Sequence, residues 1–203
     1  MIKTKIELDF YLKADRMMNC GEFAPSLWTS VREIIVPNYK MRFLIAMRKA
    51  SFYKNGGGRF LSLVWQARYK KLSMKMGYTI GMDVFGYGLV IPHRGTIIVG
   101  GSNRIGNYGV LHTSTCIVDS ASVIGDGLYL STGAIISNHV DLGNNVSIAA
   151  NSTVTKSEQR GNVLLAGTPA EIKKESEAWY IRDGERYTNR VCEVEWLKMD
   201  LKL

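Results

Sequence analysis

Residues 99–154 read VGGSNRIGNYGVLHTSTCIVDSASVIGDGLYLSTGAIISNHVDLGNNVSIAANSTV. Aliphatic residues fall at Val99, Ile105, Leu111 and Ile117, each six apart. After a one-residue slip they continue at Ile124, Leu130, Ile136, Leu142, Ile148 and Val154, again six apart. Amphipathic helices repeat near 3.6 residues and half-buried strands at 2, so neither explains this step. A step of six is the repeat of a parallel β-helix, in which each short strand turns one aliphatic inward and the chain then rounds a corner. Three hexapeptides make one triangular coil, so residues about 18 apart stack at the strand separation of about 4.8 Å. The residue after the aliphatic is small or polar in many units: Gly100, Gly106, Gly125, Ser131, Gly143 and Ala149. Four residues after it come Gly109, Thr115, Ala121, Ala134, Val140, Val146 and Ser152, most of them small enough for a tight corner. Asn107, Asn138, Asn144, Asn145 and Asn151 suit corner backbone with positive φ.

Upstream, the pattern is helical. Ile2, Ile6, Phe10 and Met17 share one face of a first segment ended by Asn19-Cys20-Gly21, and Ser26 or Ser30 caps a second. Pro37 interrupts, and Met41, Leu44, Ile45 and Arg48 resume the pattern until a turn at Asn55-Gly56-Gly57-Gly58. Leu61, Val64, Trp65, Arg68 and Leu72 then recur at helical spacing up to Met76. The expected organisation is an α-helical region over 1–76, a β-helix over 77–174 and a partly helical tail over 175–203. In that tail Trp179, Tyr180, Val191, Val194 and Trp196 pack back on the coils.

The net charge of +8 is unevenly distributed. Residues 1–77 carry 15 Lys/Arg against 5 Asp/Glu, residues 78–174 carry 6 against 6, and residues 175–203 carry 5 against 7. A basic front suits an anionic membrane surface, a phosphorylated ligand or a plain solvated helix face. No zinc-finger spacing or aromatic RNA-binding signature accompanies it, so no nucleic-acid partner is expected. The 46% hydrophobic content and 20 aromatic residues exclude a disordered chain. Cys20, Cys116 and Cys192 are widely spaced and odd in number, which excludes a disulfide scaffold and fits a reducing compartment such as the cytoplasm. No apolar run is long enough for a membrane span, and the first residues lack the apolar core of a signal peptide.

Ile91-Pro92-His93-Arg94-Gly95-Thr96-Ile97-Ile98-Val99 resembles the His-x-Gly/Thr-x-Ile-Val signature of the serine acetyltransferase branch of hexapeptide-repeat acyltransferases. That branch includes capsular and other surface-polysaccharide O-acetyltransferases. Ile105–His112, Ile124–Tyr129 and Ile148–Lys156 resemble further coils, and Ala166-Gly167-Thr168-Pro169-Ala170 resembles the Gly-x-Pro-Ala motif that closes them. The resemblance covers 77–174 specifically and the helical front loosely. It implies a mainly β fold, a left-handed parallel β-helix, which is an exception to the right-handed crossover rule. It further implies acetyl-CoA as co-substrate and a homotrimer with the site in the cleft between neighbours. Some relatives pair trimers through the helical front.

Three histidines are present. His93 and His112 lie 19 apart, one coil plus one residue, and so belong on neighbouring coils of one side; His139, 27 beyond His112, belongs elsewhere and reads as structural. Histidine is the usual base for a hydroxyl near neutral pH. The resemblance implies that His93 deprotonates the acceptor hydroxyl, with His112 as a second polar wall of the site. Asp83, ten residues before His93, is the candidate carboxylate partner. No three histidines converge by spacing as a catalytic zinc site needs, so no metal is expected. Lys156, Arg160, Lys173 and Lys174 are candidate cations for the CoA phosphates. The resemblance places the pantetheine arm near Ser131, Gly133, Ala149 and Ala150, and the nucleotide end near Gly167 and Thr168. Serine-specific enzymes of the branch carry an aspartate where this chain has Pro92. They also carry an Arg-His pair in a long loop where this chain has only Thr115–Ala121. These departures favour a glycan hydroxyl in surface polysaccharide assembly over L-serine as the small-molecule acceptor. A non-catalytic β-helical scaffold is the alternative from another class.

Overall fold

Thr4 opens the first helix. Its Oγ1 accepts from the Glu7 N–H at 3.1 Å, while the Glu7 carboxylate accepts from the Thr4 and Lys3 N–H groups at 2.9 and 2.7 Å. This reciprocal cap satisfies donors that the helix itself leaves free, and the backbone donors hold the Glu7 carboxyl below its ordinary range. Helix α1 (Lys5–Cys20) stops at Gly21, whose φ of 80° is left-handed. In the computed structural model, which describes residues 2–56 and 58–203, α2 (Leu27–Ile35), α3 (Tyr39–Gly56) and α4 (Arg59–Met76) follow. Of the two serines offered as caps for α2, Ser26 is used, its Oγ accepting from the Thr29 N–H. Pro37 lies between α2 and α3. The turn expected at Asn55–Gly58 includes Gly57, which lies outside the described residues.

Beyond Gly77 the chain winds a three-faced parallel β-helix. The first face stacks β1 (Tyr78–Ile80), β2 (Ile97–Val99), β5 (Thr115–Ile117), β8 (Ile135–Ile136) and β10 (Thr153–Val154). The second holds β3 (Arg104–Ile105) and β6 (Val123–Ile124), extended by single bridges at Phe85, Leu142 and Glu158. The third stacks β4 (Val110–Leu111), β7 (Tyr129–Leu130), β9 (Ser147–Ile148) and β11 (Val163–Gly167). All these pairs are parallel until β11 turns back into antiparallel β12 (Ala170–Glu175), which closes the last coil. All ten aliphatics of the six-residue series point inward, none more than 5% exposed.

Corners are built in two ways. Asn145 and Asn151 adopt the left-handed backbone expected of asparagine, with φ of 56° and 55°. Asn107 and Asn144 instead use their side chains: Asn107 Oδ1 accepts from the Tyr87 N–H and Asn144 Oδ1 from the Asp126 N–H, each one coil away. Tyr108, Ser114, Ala121 and His139 take left-handed corners for which no asparagine signal existed. The side-chain ladder explains the glycines that follow inward aliphatics. A Cβ on Gly125 would collide with Asn144 Oδ1 and its backbone nitrogen. Gly125→Ala should therefore displace the Asn144 amide and cost about 1–3 kcal/mol, read as a lower thermal midpoint. An unchanged midpoint would show that the corner relaxes freely.

The open end of the first coil is covered by the helical front. Met41, Phe43, Leu44, Ala46 and Met47 of α3, with Leu72 and Met76 of α4, belong to the same core as the coil interior. Phe43 packs edge-on against Tyr78, with ring centroids 4.9 Å apart. Polar groups pin the front to the exposed strand edge. Arg48 Nε donates to Asp15 Oδ2 at 2.8 Å, and its Nη1 and Nη2 donate to the Phe85 and Gly86 carbonyls at 2.8 and 2.6 Å. Asp15 Oδ1 accepts from the Leu89 N–H at 3.0 Å, and Asn19 Oδ1 and Nδ2 bond Ile91 N–H and the Leu89 carbonyl. An edge that would otherwise seek another strand is thus paired with side chains.

The tail folds back as expected, forming α5 (Trp179–Arg182) and α6 (Glu185–Asp200) against α1 and the third face. Trp179 is buried and its Nε1 donates to the Tyr108 carbonyl at 2.7 Å. Tyr87 and Tyr108 both donate to Glu195, and burial with that carboxylate raises both phenols. Four apolar residues read as inward are instead exposed: Ile6, Leu61, Val64 and Trp196. Ile6 and Leu61 sit beside the buried stripe of their helices, whereas Trp196, two residues from the buried Val194, lies on the opposite side of α6. Among the described residues no helix is long and apolar enough to cross a membrane.

Candidate functional site

The edge where the third face turns into the first gathers most of the candidate residues. After Ile91 it carries His93, after Leu111 it carries His112, and on the next coils Ser131, Ala149 and Gly167 follow. The rungs are tied by backbone bonds, His112 N–H to the Leu130 carbonyl at 3.0 Å, Ser131 N–H to Ile148 at 3.1 Å and Ala149 N–H to Leu165 at 2.9 Å. The turn itself repeats a positive φ at Gly95, Ser114, Gly133 and Asn151, which keeps the rungs in line. Gly133, Ala150 and Thr168 lie on this same histidine edge.

The two imidazole rings stand 6.2 Å apart. His93 is exposed, and its loop is held through the backbone. Lys40 Nζ of α3 donates to the Pro92 carbonyl at 2.5 Å, and the Tyr78 hydroxyl donates to the His93 carbonyl at 2.8 Å. Burial pushes the Tyr78 phenol up to about 12, so it remains a donor. Burial likewise lowers Lys40. His112 is half-buried, and its Nε2 lies 2.9 Å from the Tyr129 hydroxyl. Burial first, and the nearby His93 second, hold His112 below its ordinary value, while Asp183 opposes them. His112 therefore stays neutral to a lower pH than a free histidine.

The tail brings a cation to this edge. Arg182 at the end of α5 lies over the Tyr129 ring at 4.7 Å, donates from Nη1 to Ser147 Oγ at 3.0 Å and from Nε to Asp183 Oδ1 at 2.8 Å. Neither Tyr129 nor Arg182 was singled out from the sequence. Tyr129 lies 17 residues after His112, so the coil length was a usable signal for it. Arg182 reaches the edge by a reversal of the tail, for which no periodicity exists.

Three candidates lie elsewhere. Asp83 is not the partner of His93: it occupies the corner between the first and second faces, where its carboxylate accepts from Ser51 Oγ and Asn55 Nδ2 of α3. Among the described residues no carboxylate bonds the His93 ring. Lys156 lies at that same corner on the last coil, and Arg160 at the corner between the second and third faces, where it pairs with Glu175 at 3.1 Å. Neither joins the histidine edge of its own chain. His139 is exposed at the Asp83 corner, its N–H donating to Ser120 Oγ. Among the described residues no group of three or more His, Cys, Asp or Glu side chains converges as a metal site.

This combination of helical front, parallel β-helix and closing hairpin has solved counterparts. The serine acetyltransferase of Neisseria gonorrhoeae superposes with a TM-score of 0.62 at 21% identity, covering 84% of this chain and 68% of the other. That of Brucella abortus strain S19 gives 0.60 at 22%, covering 84% and 69%. A serine acetyltransferase in complex with CoA gives 0.60 at 19%, covering 81% and 67%. The fold is that of the serine acetyltransferases. No described protein family matches the chain in sequence, and no curated protein does.

Proposed function

We propose that this chain is an acetyl-CoA-dependent O-acetyltransferase, and that the histidine edge is its active site. The observation that carries the reading is the pair of imidazoles 6.2 Å apart on adjacent coils, at the head of a continuous edge, in a fold shared with acetyltransferases. His93, exposed and held by its backbone, accepts the proton of the acceptor hydroxyl. The freed oxygen attacks the thioester carbonyl carbon, the carbon–sulfur bond breaks, and the CoA thiolate recovers the proton from the imidazolium. The products are an acetyl ester and CoA thiol. Fixed N–H donors of the coil suit the transient oxyanion. His112, neutral and tied to Tyr129, orients the acceptor.

L-serine is the acceptor best supported. The structural neighbours include a serine acetyltransferase in complex with serine. Arg182, over the Tyr129 ring whose hydroxyl meets His112 and paired through Nε with Asp183, brings to this edge a cation that the short Thr115–Ala121 segment lacks. Pro92 favours the second reading, a sugar hydroxyl, because a proline offers no charge to a serine ammonium. A homotrimer suits the outward column Ile98, Cys116 and Ile135 on the first face, in register on successive coils and partly exposed in one chain.

Thiol release from acetyl-CoA, followed with a thiol reagent, tests the proposal. Turnover is expected with L-serine and not with water alone. Turnover with oligosaccharide only would select the second reading. No release with either acceptor, together with no heat of CoA binding, would leave a β-helical scaffold.

A further inference from the structure

Between Glu33 and Asp83 the chain contains no acidic residue and ten Lys or Arg. Of these, Arg48 is committed to Asp15 in the interior. The rest belong to α3, α4 and their connection, and among the described residues none of them pairs with a carboxylate. This stretch, rather than the front as a whole, carries the positive charge of the protein.

Helix α4 is apolar on two opposite sides. One side faces the core through Leu72 and Met76, which are buried. On the opposite side, at 100° per residue, lie Phe60, Leu63 and Met74, which are 77%, 68% and 79% exposed. Arg59, Lys70 and Lys71, all exposed, border this outer stripe. The helical front therefore presents a solvent-facing apolar strip framed by cations.

We propose that the outer face of α4 rests on an anionic membrane surface. A bilayer interface accommodates both features, taking apolar side chains at the acyl boundary and Lys or Arg at the headgroups. Nucleic acid would use the cations and leave Phe60, Leu63 and Met74 without a role. A second copy of the same face would set cations against cations with no acid to offset them. Helix α2 also exposes apolar residues, but Arg32 stands beside Glu33 there, and the charge complementarity is missing. The proposal is independent of the acetyl-transfer reading.

The full chain should co-sediment with vesicles of equal parts phosphatidylglycerol and phosphatidylcholine, should not do so with phosphatidylcholine alone, and should release as salt rises. At about 1 kcal/mol per surface cation, Lys70→Gln with Lys71→Gln should weaken the apparent affinity about 30-fold. Phe60→Ser with Leu63→Ser should weaken it further at unchanged salt dependence, and unchanged far-UV circular dichroism would show that both variants fold. Four results would overturn the proposal. These are no vesicle binding, binding indifferent to lipid charge, binding that neither variant alters, and retention on duplex DNA or RNA without vesicle binding. A fall in the sedimentation-equilibrium mass of the Phe60/Leu63 variant, with vesicle binding intact, would instead assign the strip to a contact between copies.

Discussion

Replacing His93 by alanine is expected to lower turnover about 10²–10⁴-fold, the usual contribution of a positioned base, with little change in CoA binding or in thermal stability. The expectation of intact folding follows from exposure: His93 is held by its carbonyl and by Pro92, and a shortened side chain leaves the Lys40 and Tyr78 contacts in place. His112 gives the internal comparison. Its depressed pKa keeps it neutral below the ordinary 6.5, because burial and His93 disfavour its charged form. If His112 were the base, the acid limb of the pH–rate profile would be displaced below that value, and His93→Ala, by removing one cause of the depression, would move the limb back upward. Near-normal turnover of His93→Ala would remove His93 from the base role outright.

Asp15→Ala is expected to be the most destabilising change in the helical front. The Asp15–Arg48 pair is buried on both sides, and Arg48 is also the donor that satisfies the Phe85 and Gly86 carbonyls. Removing one member of a buried pair costs about 3–5 kcal/mol because the other charge is left without compensation. In a chain of this size that corresponds to a fall in thermal midpoint of roughly 6–20 °C. Asp15→Leu combined with Arg48→Met should recover part of the loss, since apolar replacement of both members removes the stranded charge. A single variant melting within a degree or two of the parent would show that water reaches Arg48.

The coils were legible because each face of a β-helix buries one aliphatic, so burial itself has a period. The first coil was not, because its interior residues Tyr78, Ile80, Phe85 and Ile91 pack against α3 and α4 rather than against another coil alone. Its corners are also longer: Phe85 bridges Ile105 and Val90 bridges Val110, both 20 residues on. The histidine pair followed from its spacing of one coil. Asp83 failed for a related reason, since ten residues before His93 is more than half a coil, and that distance carries a side chain to another edge. Lys156 and Arg160 were grouped with the closing Gly167 and Thr168 by nearness in sequence, and the winding separates them. Arg182 had no signal, because the contact between α5 and Tyr129 depends on how the tail returns across the third face.

The histidine edge has a metric property as well. His93, His112, Ser131, Ala149 and Gly167 lie on five successive coils, so four steps of about 4.8 Å place the closing hairpin roughly 19 Å from the His93 ring. The prism is in that sense a ruler, graduated in coils, with the imidazole at zero and Gly167-Thr168 at its far mark. Excising one coil would shorten the scale by one graduation and leave both end marks chemically unaltered. On the proposed reading, the ligand length that the edge accepts follows from the number of turns, a quantity set by the backbone and not by any side chain along the way.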